Sequence, residues 1–322
     1  MKPIRFGLIG CANVAKRHVL PAMKKIKSIE LISVASRSQE KSRQFASEFD
    51  CEVASDYQSL LSDSRIDAIY MPLPTGLHFE WAHKALDAGK HLLIEKSLSN
   101  NYSDAISIVK KAQLKSLLVT ENYMFEHHAQ QSEVRKLILD RVGNVRLFRS
   151  SFGFPPLEKN NFRYDYNLGG GALLDAGGYT LKALEVFFPG SVARVMSARL
   201  EKSGDVDIFG TAMLNVESNL GEFPAIMSFG FDNHYQCNIE VWGSRGLIKT
   251  NRTFTAGLNF SPTIEIEDAS GVEKFSLSED DHFYKMLLSF SENIINGQFN
   301  HSYDSILKQA KLQQDIRNTS IK

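Results

Sequence analysis

The sequence predicts an α/β chain in two parts. Residues 1–122 read as a doubly wound parallel sheet, and residues 123–322 as an α+β domain with a mostly antiparallel open sheet. Three observations carry this reading. Apolar strands and helical stretches alternate from residue 4 to residue 121. The strands of that region are apolar throughout, as strands covered on both faces are, rather than alternating. From residue 123 onward the rhythm changes, and longer β runs follow one another.

IRFGLI (4–9) is a strand and NVAKRHVLPAMKKI (13–26) a helix. IELISVAS (29–36), QEKSRQFASEF (39–49), CEVA (51–54) and YQSLLSD (57–63) continue as strand, helix, short strand and short helix. IDAIYM (66–71), LHFEWAHKALDAG (77–89), HLLIE (91–95), YSDAISIVKKAQL (102–114) and SLLVTE (116–121) complete the alternation. Such a series is the Rossmann arrangement. In the second part a helix (131–141) leads to the strand NVRLFRSSFGF, then to a glycine-rich stretch and the helix GYTLKALEVFF (178–188). The strands ARVMSARLE, DIFGTAMLNVE, FPAIMSFGFD and QCNIEVWG follow, and GSRG (243–246) is a tight hairpin turn before LIKTN. Helices near 281–296 and 302–319 close the chain, the last expected to pack back on the first domain.

Composition narrows the class. Lys+Arg and Asp+Glu are both 37 in 322 residues, a balance unlike the basic excess of a nucleic-acid binder. The opening MKPIRFGLIG lacks the apolar core and cleavage site of a signal peptide, and no window reads as a membrane span. Cys11, Cys51 and Cys237 are odd in number, far apart and without metal-ligand spacing. The expectation is a reduced, cytoplasmic protein with no metal. His127 and His128 are adjacent and make a poor metal pair.

Ligands of doubly wound sheets lie beyond the carboxyl ends of the strands. After the first strand, Gly10, Ala12 and Ala15 fill the small-residue slots of a dinucleotide fingerprint, with Cys11, Asn13 and Val14 between them. After the second come Ser36, Arg37 and Ser38, where an NAD-selective site places an acid. Hydroxyls and a guanidinium suit a 2′-phosphate. NADP(H) is therefore the expected cofactor and NAD(H) the alternative; Arg37 as a solvated or adenine-stacking side chain is the rival reading. After the fourth strand, Pro72, Leu73 and Pro74 hold the chain extended, Thr75 is the expected helix cap, and His78 sits in the first turn. A structural hydrogen bond is the preferred role of His78. Glu95 and Lys96 follow the fifth strand, where the nicotinamide should lie, and Glu121 and Asn122 stand at the edge of the sixth. A lysine aimed into that crevice can polarise a carbonyl.

GLIGCANVA, MPLPTGLH, IEKS and GGGALLDAGGY occur in the order and spacing of one family. The chain resembles the Gfo/Idh/MocA oxidoreductases over nearly its whole length. The resemblance implies a cofactor-binding Rossmann domain and oxidation or reduction of a carbonyl or alcohol, often on a sugar, at the boundary with the second domain. It implies that Lys96 is the lysine of the family's Glu-Lys-Pro motif and that Asp175 holds the aspartate position. Tyr179 occupies a slot that is histidine in the inositol-dehydrogenase branch. Tyrosine there resembles the glucose–fructose oxidoreductase, dihydrodiol dehydrogenase and sugar 3-ketoreductase branches. Ser97 replaces the motif's proline, and Ala12 its second fingerprint glycine. Relatives often form dimers or tetramers through the second-domain sheet, so a homodimer or homotetramer is expected.

Residues 169–178 hold five of the chain's 21 glycines and lead into Tyr179, four residues after Asp175. On a helix these two share a face. A phenol can serve a developing alkoxide, and a nearby Lys96 ammonium would bring its pKa down from about 10. Lys96, Tyr179 and Asp175 are the expected catalytic residues. Tyr123, Arg163, Tyr164 and Asp165, with Asp175 and Tyr179, are the expected substrate contacts; the loop before the glycines reads equally as a solvated Ω-loop. The expected function is an NADP(H)-preferring dehydrogenase or reductase acting on CH–OH groups of a sugar, a nucleotide-linked keto-sugar or a polyol. A dihydrodiol-type dehydrogenase and a non-catalytic NADP(H)-binding regulator are the rivals.

Overall fold

The computed structural model describes residues 2–321. The chain divides into two compact units: one runs to Asn122 and includes Phe283–Lys308, and the other comprises Tyr123–His282 with the chain from Gln309 onward.

The first unit is built on six strands, β1 (Ile4–Ile9), β2 (Ile29–Ala35), β3 (Glu52–Val53), β4 (Ala68–Met71), β5 (His91–Glu95) and β6 (Val119–Asn122). All pair in parallel, in the order β3-β2-β1-β4-β5-β6. The strand order reverses between β1 and β4, the point where such sheets bind ligands. Phe6, Leu8, Val34, Ile69, Tyr70, Leu93 and Ile94 are fully buried, as strands covered on both faces require. The helices start on polar caps: Ser38 before Gln39–Phe49, a reciprocal Asp56/Ser59 capping box before Tyr57–Ser62, and Asn101 before Tyr102–Lys115. Helix His282–Asn296 supplies Phe290, packed 5.6 Å from Phe6, and Phe283, stacked 4.9 Å from His18. Tyr303 Oη donates to Leu117 O (2.6 Å), which fastens the start of helix Asn300–Thr319 to the same unit.

Two local expectations change. The helix expected at 13–26 is a π turn, Ala15–Val19, running into a short α segment, Leu20–Met23. Pro21 has no N–H to complete an α-type bond to Arg17, so the ladder slips there. Thr75 does not cap its helix through its side chain: a 3₁₀ turn, Thr75–Leu77, precedes helix His78–Asp87, and no side-chain hydrogen bond caps it.

The second unit carries a nine-stranded sheet: β7 (Val145–Phe154), β8 (Val192–Ser203), β9 (Val206–Ser218), β10 (Gly221–Phe231), β11 (Gln236–Gly243), β12 (Gly246–Thr250), β13 (Thr263–Asp268), β14 (Gly271–Ser276) and β15 (Ser320–Ile321). Its order is β14-β13-β12-β11-β7-β10-β9-β8-β15. The β7/β10 and β8/β15 pairs are parallel and the others antiparallel. Along β9 to β12 buried and solvent-facing residues alternate. Leu214, Val216, Met227, Phe229, Ile239, Val241 and Ile248 belong to the buried core that also takes residues of helices Ala129–Leu137 and Gly178–Phe187. The opposite face is open. It displays Val192, Met196, Met213 and Trp242, and a cross-strand row in which Arg149 pairs with Glu240 and Lys249 lies 3.8 Å from Glu265. The expected fold class, a Rossmann domain followed by an α+β domain with a mostly antiparallel open sheet, is the observed one. β13 and β14 were not expected; their run is short, polar and acidic.

Gly7 shows how little space β1 leaves. A Cβ there would lie 2.6 Å from Leu60 Cδ2 and 2.9 Å from Ile66 Cδ1. Gly7→Ala is expected to lower unfolding stability by about 1–3 kcal/mol through overpacking. Urea unfolding checks this, and a wild-type midpoint would contradict it.

Candidate active site

The residues singled out after β1 and β2 form one rim of the first unit. Gly10 adopts φ +102°, and its N–H donates to Ala35 O (2.9 Å), tying the loop after β1 to the end of β2. A Cβ on Gly10 would come 2.7 Å from Leu73 Cδ2, so the loops after β1 and β4 pack directly on each other. Cys11, Ala12 and Val14 are half-buried and Asn13 is exposed. Burial pushes the Cys11 thiol up, opposed by hydrogen bonds with Ser42 and Ser36. Ser36 Oγ accepts the Ser38 N–H (3.2 Å), Ser38 Oγ accepts the Lys41 N–H (3.3 Å) as a helix cap, and Arg37 is exposed between them.

The loops after β4 and β5 are joined by His78. Its ring is fully buried, with Nε2 2.8 Å from Leu73 O and Nδ1 2.9 Å from Ser97 O. Both nitrogens face carbonyl oxygens, so the imidazole links the Pro72–Pro74 segment to the segment that carries Lys96; burial pushes its pKa down. Lys96 is half-buried and its peptide bond to Ser97 is cis. Glu95 Oε1 accepts from Tyr70 Oη (2.8 Å) and from Asn122 Nδ2 (2.6 Å). Burial pushes the Glu95 carboxyl up, and these two hydrogen bonds and the charge of Lys96 oppose it. Asn122 Oδ1 is buried and accepts no hydrogen bond. Glu121 Oε1 accepts the Leu98 N–H (2.7 Å), a second bond holding the segment after Lys96.

In the second unit the glycine-rich stretch is a closely packed turn. Gly169 and Gly171 have φ +76° and +115°. A Cβ on Gly170 would meet Arg163 O at 2.4 Å, and one on Gly171 would meet Asp207 Oδ1 at 2.5 Å. The turn enters a π turn, Leu173–Gly177, and then helix Gly178–Phe187. Asp207 Oδ2 accepts the Leu173 N–H (2.6 Å) and so satisfies the start of this helical segment. Burial pushes the Asp207 carboxyl up; the Leu173 bond and the charge of Arg317 oppose it.

Arg163 and Asp175 come together: Nε donates to Oδ2 at 2.6 Å. Tyr179 is buried in an aromatic cage of Tyr123 (5.3 Å between centroids), Phe125 (5.7 Å), Phe152 (5.1 Å) and Phe254 (5.8 Å), and its hydroxyl donates to Met124 Sδ at 3.6 Å. Tyr123 is 1% exposed and accepts from Gln309 Nε2 (3.1 Å). A Cβ on Gly178 would lie 2.1 Å from the Tyr123 hydroxyl, so this glycine makes room for Tyr123. Tyr164 Oη accepts the Leu157 N–H (3.1 Å), and Asp165 caps a 3₁₀ turn through the Asn167 N–H (2.9 Å). Sequence reasoning missed Tyr70, Asp207 and Gln309. It also missed Lys182, a buried cation 2.8 Å from Glu185 and 3.3 Å from Glu126. An acid opening the otherwise apolar run DIFGTAML was the one signal for Asp207.

The family described as "Oxidoreductase family, NAD-binding Rossmann fold" matches residues 4–123, and the GFO/IDH/MocA C-terminal domain matches residues 132–249. The dTDP-3,4-didehydro-2,6-dideoxy-alpha-D-glucose 3-reductase of Saccharopolyspora spinosa is 40% identical, over 98% of this chain and 97% of that protein. The enzyme of the same name from Actinomadura kijaniata is 36% identical over 98% of this chain and 95% of its own. The crystal structure of KijD10, a 3-ketoreductase from Actinomadura kijaniata in complex with NADP and TDP-benzene, superposes with a TM-score of 0.94 at 35% identity, covering 99% of this chain and 98% of that one. With a fingerprint loop after β1, a lysine after β5 and a glycine-rich turn leading to a caged tyrosine, the chain belongs to the Gfo/Idh/MocA family of oxidoreductases.

Proposed function

We propose that the protein uses NADPH to reduce the carbonyl of a nucleotide-linked keto-sugar. The observation that carries this is the whole-length similarity to two dTDP-keto-sugar 3-reductases, together with a lysine and a tyrosine in the family's motif positions. The first unit fits the cofactor. Gly10 leaves bare backbone at the loop after β1, Ser36, Arg37 and Ser38 stand where an NAD-selective site has an acid, and Asn122 Oδ1 offers an unused buried acceptor. When bound, the nicotinamide supplies the hydride.

The chain's own residues supply charge, a proton and dry surroundings. Lys96 is a compact ammonium that stabilises alkoxide charge developing on the substrate oxygen. Tyr179 donates the proton that completes the alcohol. Its hydroxyl donates to the Met124 thioether, a weak acceptor. The four rings around Tyr179 keep water from its flanks. Asp175 holds Arg163, which fixes the loop before the glycines. Structures of KijD10 with NADP and TDP-benzene have also been solved with a lysine replaced by alanine and with a tyrosine replaced by phenylalanine, the two residue types assigned to chemistry.

Among the described residues no helix is long and apolar enough to cross a membrane. The three cysteines are free thiols, which suits a cytoplasmic enzyme. The open face of the nine-stranded sheet, with Met213 and Trp242 exposed beside a charged row, suits a homodimer or homotetramer.

Lys96→Ala and Tyr179→Phe are each expected to lower kcat by about 10²–10⁴ while NADPH affinity stays within about threefold. Steady-state assays with a dTDP-linked keto-sugar and NADPH titration check this, and near-wild-type turnover by both variants would contradict the roles. Trp242→Glu combined with Met213→Glu is expected to reduce the light-scattering mass to that of one protomer. An unchanged oligomer would contradict the sheet-face interface.

A further inference from the structure

Arg252 lies two residues after β12, in the loop joining β12 to β13, exposed, with a left-handed backbone (φ +47°). A non-glycine residue holds that conformation only where its surroundings impose it. Here they do. Gln130 Nε2 donates to Asn251 O (3.1 Å) and Gln131 Nε2 donates to Thr253 O (3.0 Å), so two buried glutamines grip the residues on either side of Arg252. The Thr253 N–H donates to Cys237 O (3.0 Å), and the Thr250 and Thr253 hydroxyls are 2.5 Å apart. The guanidinium carbon lies 4.6 Å from the Tyr235 ring centroid and 5.7 Å from that of Phe260. Nη1 donates to Tyr235 Oη (3.1 Å), which is itself bonded to Thr255 Oγ1 (2.8 Å). Asp232, at the start of the Tyr235 loop, also has positive φ (+118°).

Arg252 is joined in sequence to the Tyr179 cage. Phe254, two residues after Arg252, is part of the Tyr179 cage, and its N–H donates to Cys237 Sγ (3.3 Å). Of the cations in the segments packed around Tyr179, Arg163 is paired with Asp175, and Lys182 with Glu126 and Glu185. Arg252 has no carboxylate partner among the described residues; its contacts are Tyr235 and Phe260. A guanidinium carries five N–H donors in a planar fork that matches phosphate oxygens, and Tyr235 engages one of them.

We propose that Arg252, braced by Tyr235, binds the diphosphate of the nucleotide-linked substrate. The inference rests on the keto-sugar reading and adds the group that selects a nucleotide-linked sugar over a free one. Arg252 positions substrate and takes no part in hydride or proton transfer.

The test uses the full-length protein and calorimetric titration with dTDP, thymidine and NADPH, alongside kinetics with a dTDP-linked keto-sugar. Arg252→Gln is expected to weaken dTDP binding by roughly 10- to 100-fold, as loss of a charge-assisted bond does. Thymidine and NADPH affinities are expected to stay at wild-type values, and the kinetic loss to fall on KM rather than kcat. Arg252→Lys, which keeps the charge without the fork, is expected to recover part of the dTDP affinity. Wild-type dTDP affinity in Arg252→Gln would overturn the proposal. So would an equal loss for thymidine, which would point to the base, or a loss confined to NADPH. If the wild-type protein reduces free keto-sugars and does not bind dTDP, the nucleotide-linked reading fails as well. If it binds dTDP and Arg252→Gln binds it equally, only the assignment of Arg252 fails.

Discussion

The bond from the Leu173 N–H to Asp207 Oδ2 (2.6 Å) is the contact on which the geometry of Tyr179 depends. It satisfies the first turn of the segment that becomes helix Gly178–Phe187, and it requires the chain to pass Asp207 with no side chain at Gly171. Gly170 meets the same demand toward the Arg163 carbonyl, and Gly178 toward the Tyr123 hydroxyl. Each glycine is thus a close approach with a named neighbour. The dense glycine run reflects fit rather than looseness: the turn, the π turn and the aromatic cage together fix where the phenol sits.

The first unit reaches the same end with hydrogen bonds. Lys96 follows directly on Glu95, whose carboxyl is held by Tyr70 and Asn122, and it precedes a segment held by His78 and Glu121. Polar groups buried in this way cost stability unless satisfied, so they define one arrangement of the loop and penalise others. The charge proposed here to stabilise an alkoxide is useful only when fixed in advance.

Much of this was legible in the residues because it rests on short-range rules. Apolar runs such as IRFGLI and HLLIE, each followed by polar residues, gave the parallel sheet and the rim where sheets of this kind bind ligands. The longer β runs FPAIMSFGFD and QCNIEVWG, following one another, marked the second sheet. What was not legible depends on partners far apart in the chain. Nothing near Asp207 announces that it will cap a helix 34 residues earlier in sequence. Tyr123 lies buried against Gly178 and Gln309, a contact that spans 186 residues for Gln309. Helix interruptions were missed for a local reason: the register of Asp175 and Tyr179 was read on an α-helix, whereas Leu173–Gly177 is a π turn. Arg252 was invisible because its importance lies in its backbone angle and in the two glutamines that impose it.

Isotope transfer measures hydride delivery to a sugar carbonyl at the tyrosine-bearing site directly. The protein is incubated with a dTDP-linked 3-keto-sugar and NADPH carrying deuterium at the reactive C4 position, and the product is read by NMR. One deuterium on the newly formed carbinol carbon is the predicted result. Tight binding of both ligands with no deuterium reaching the sugar would contradict the account.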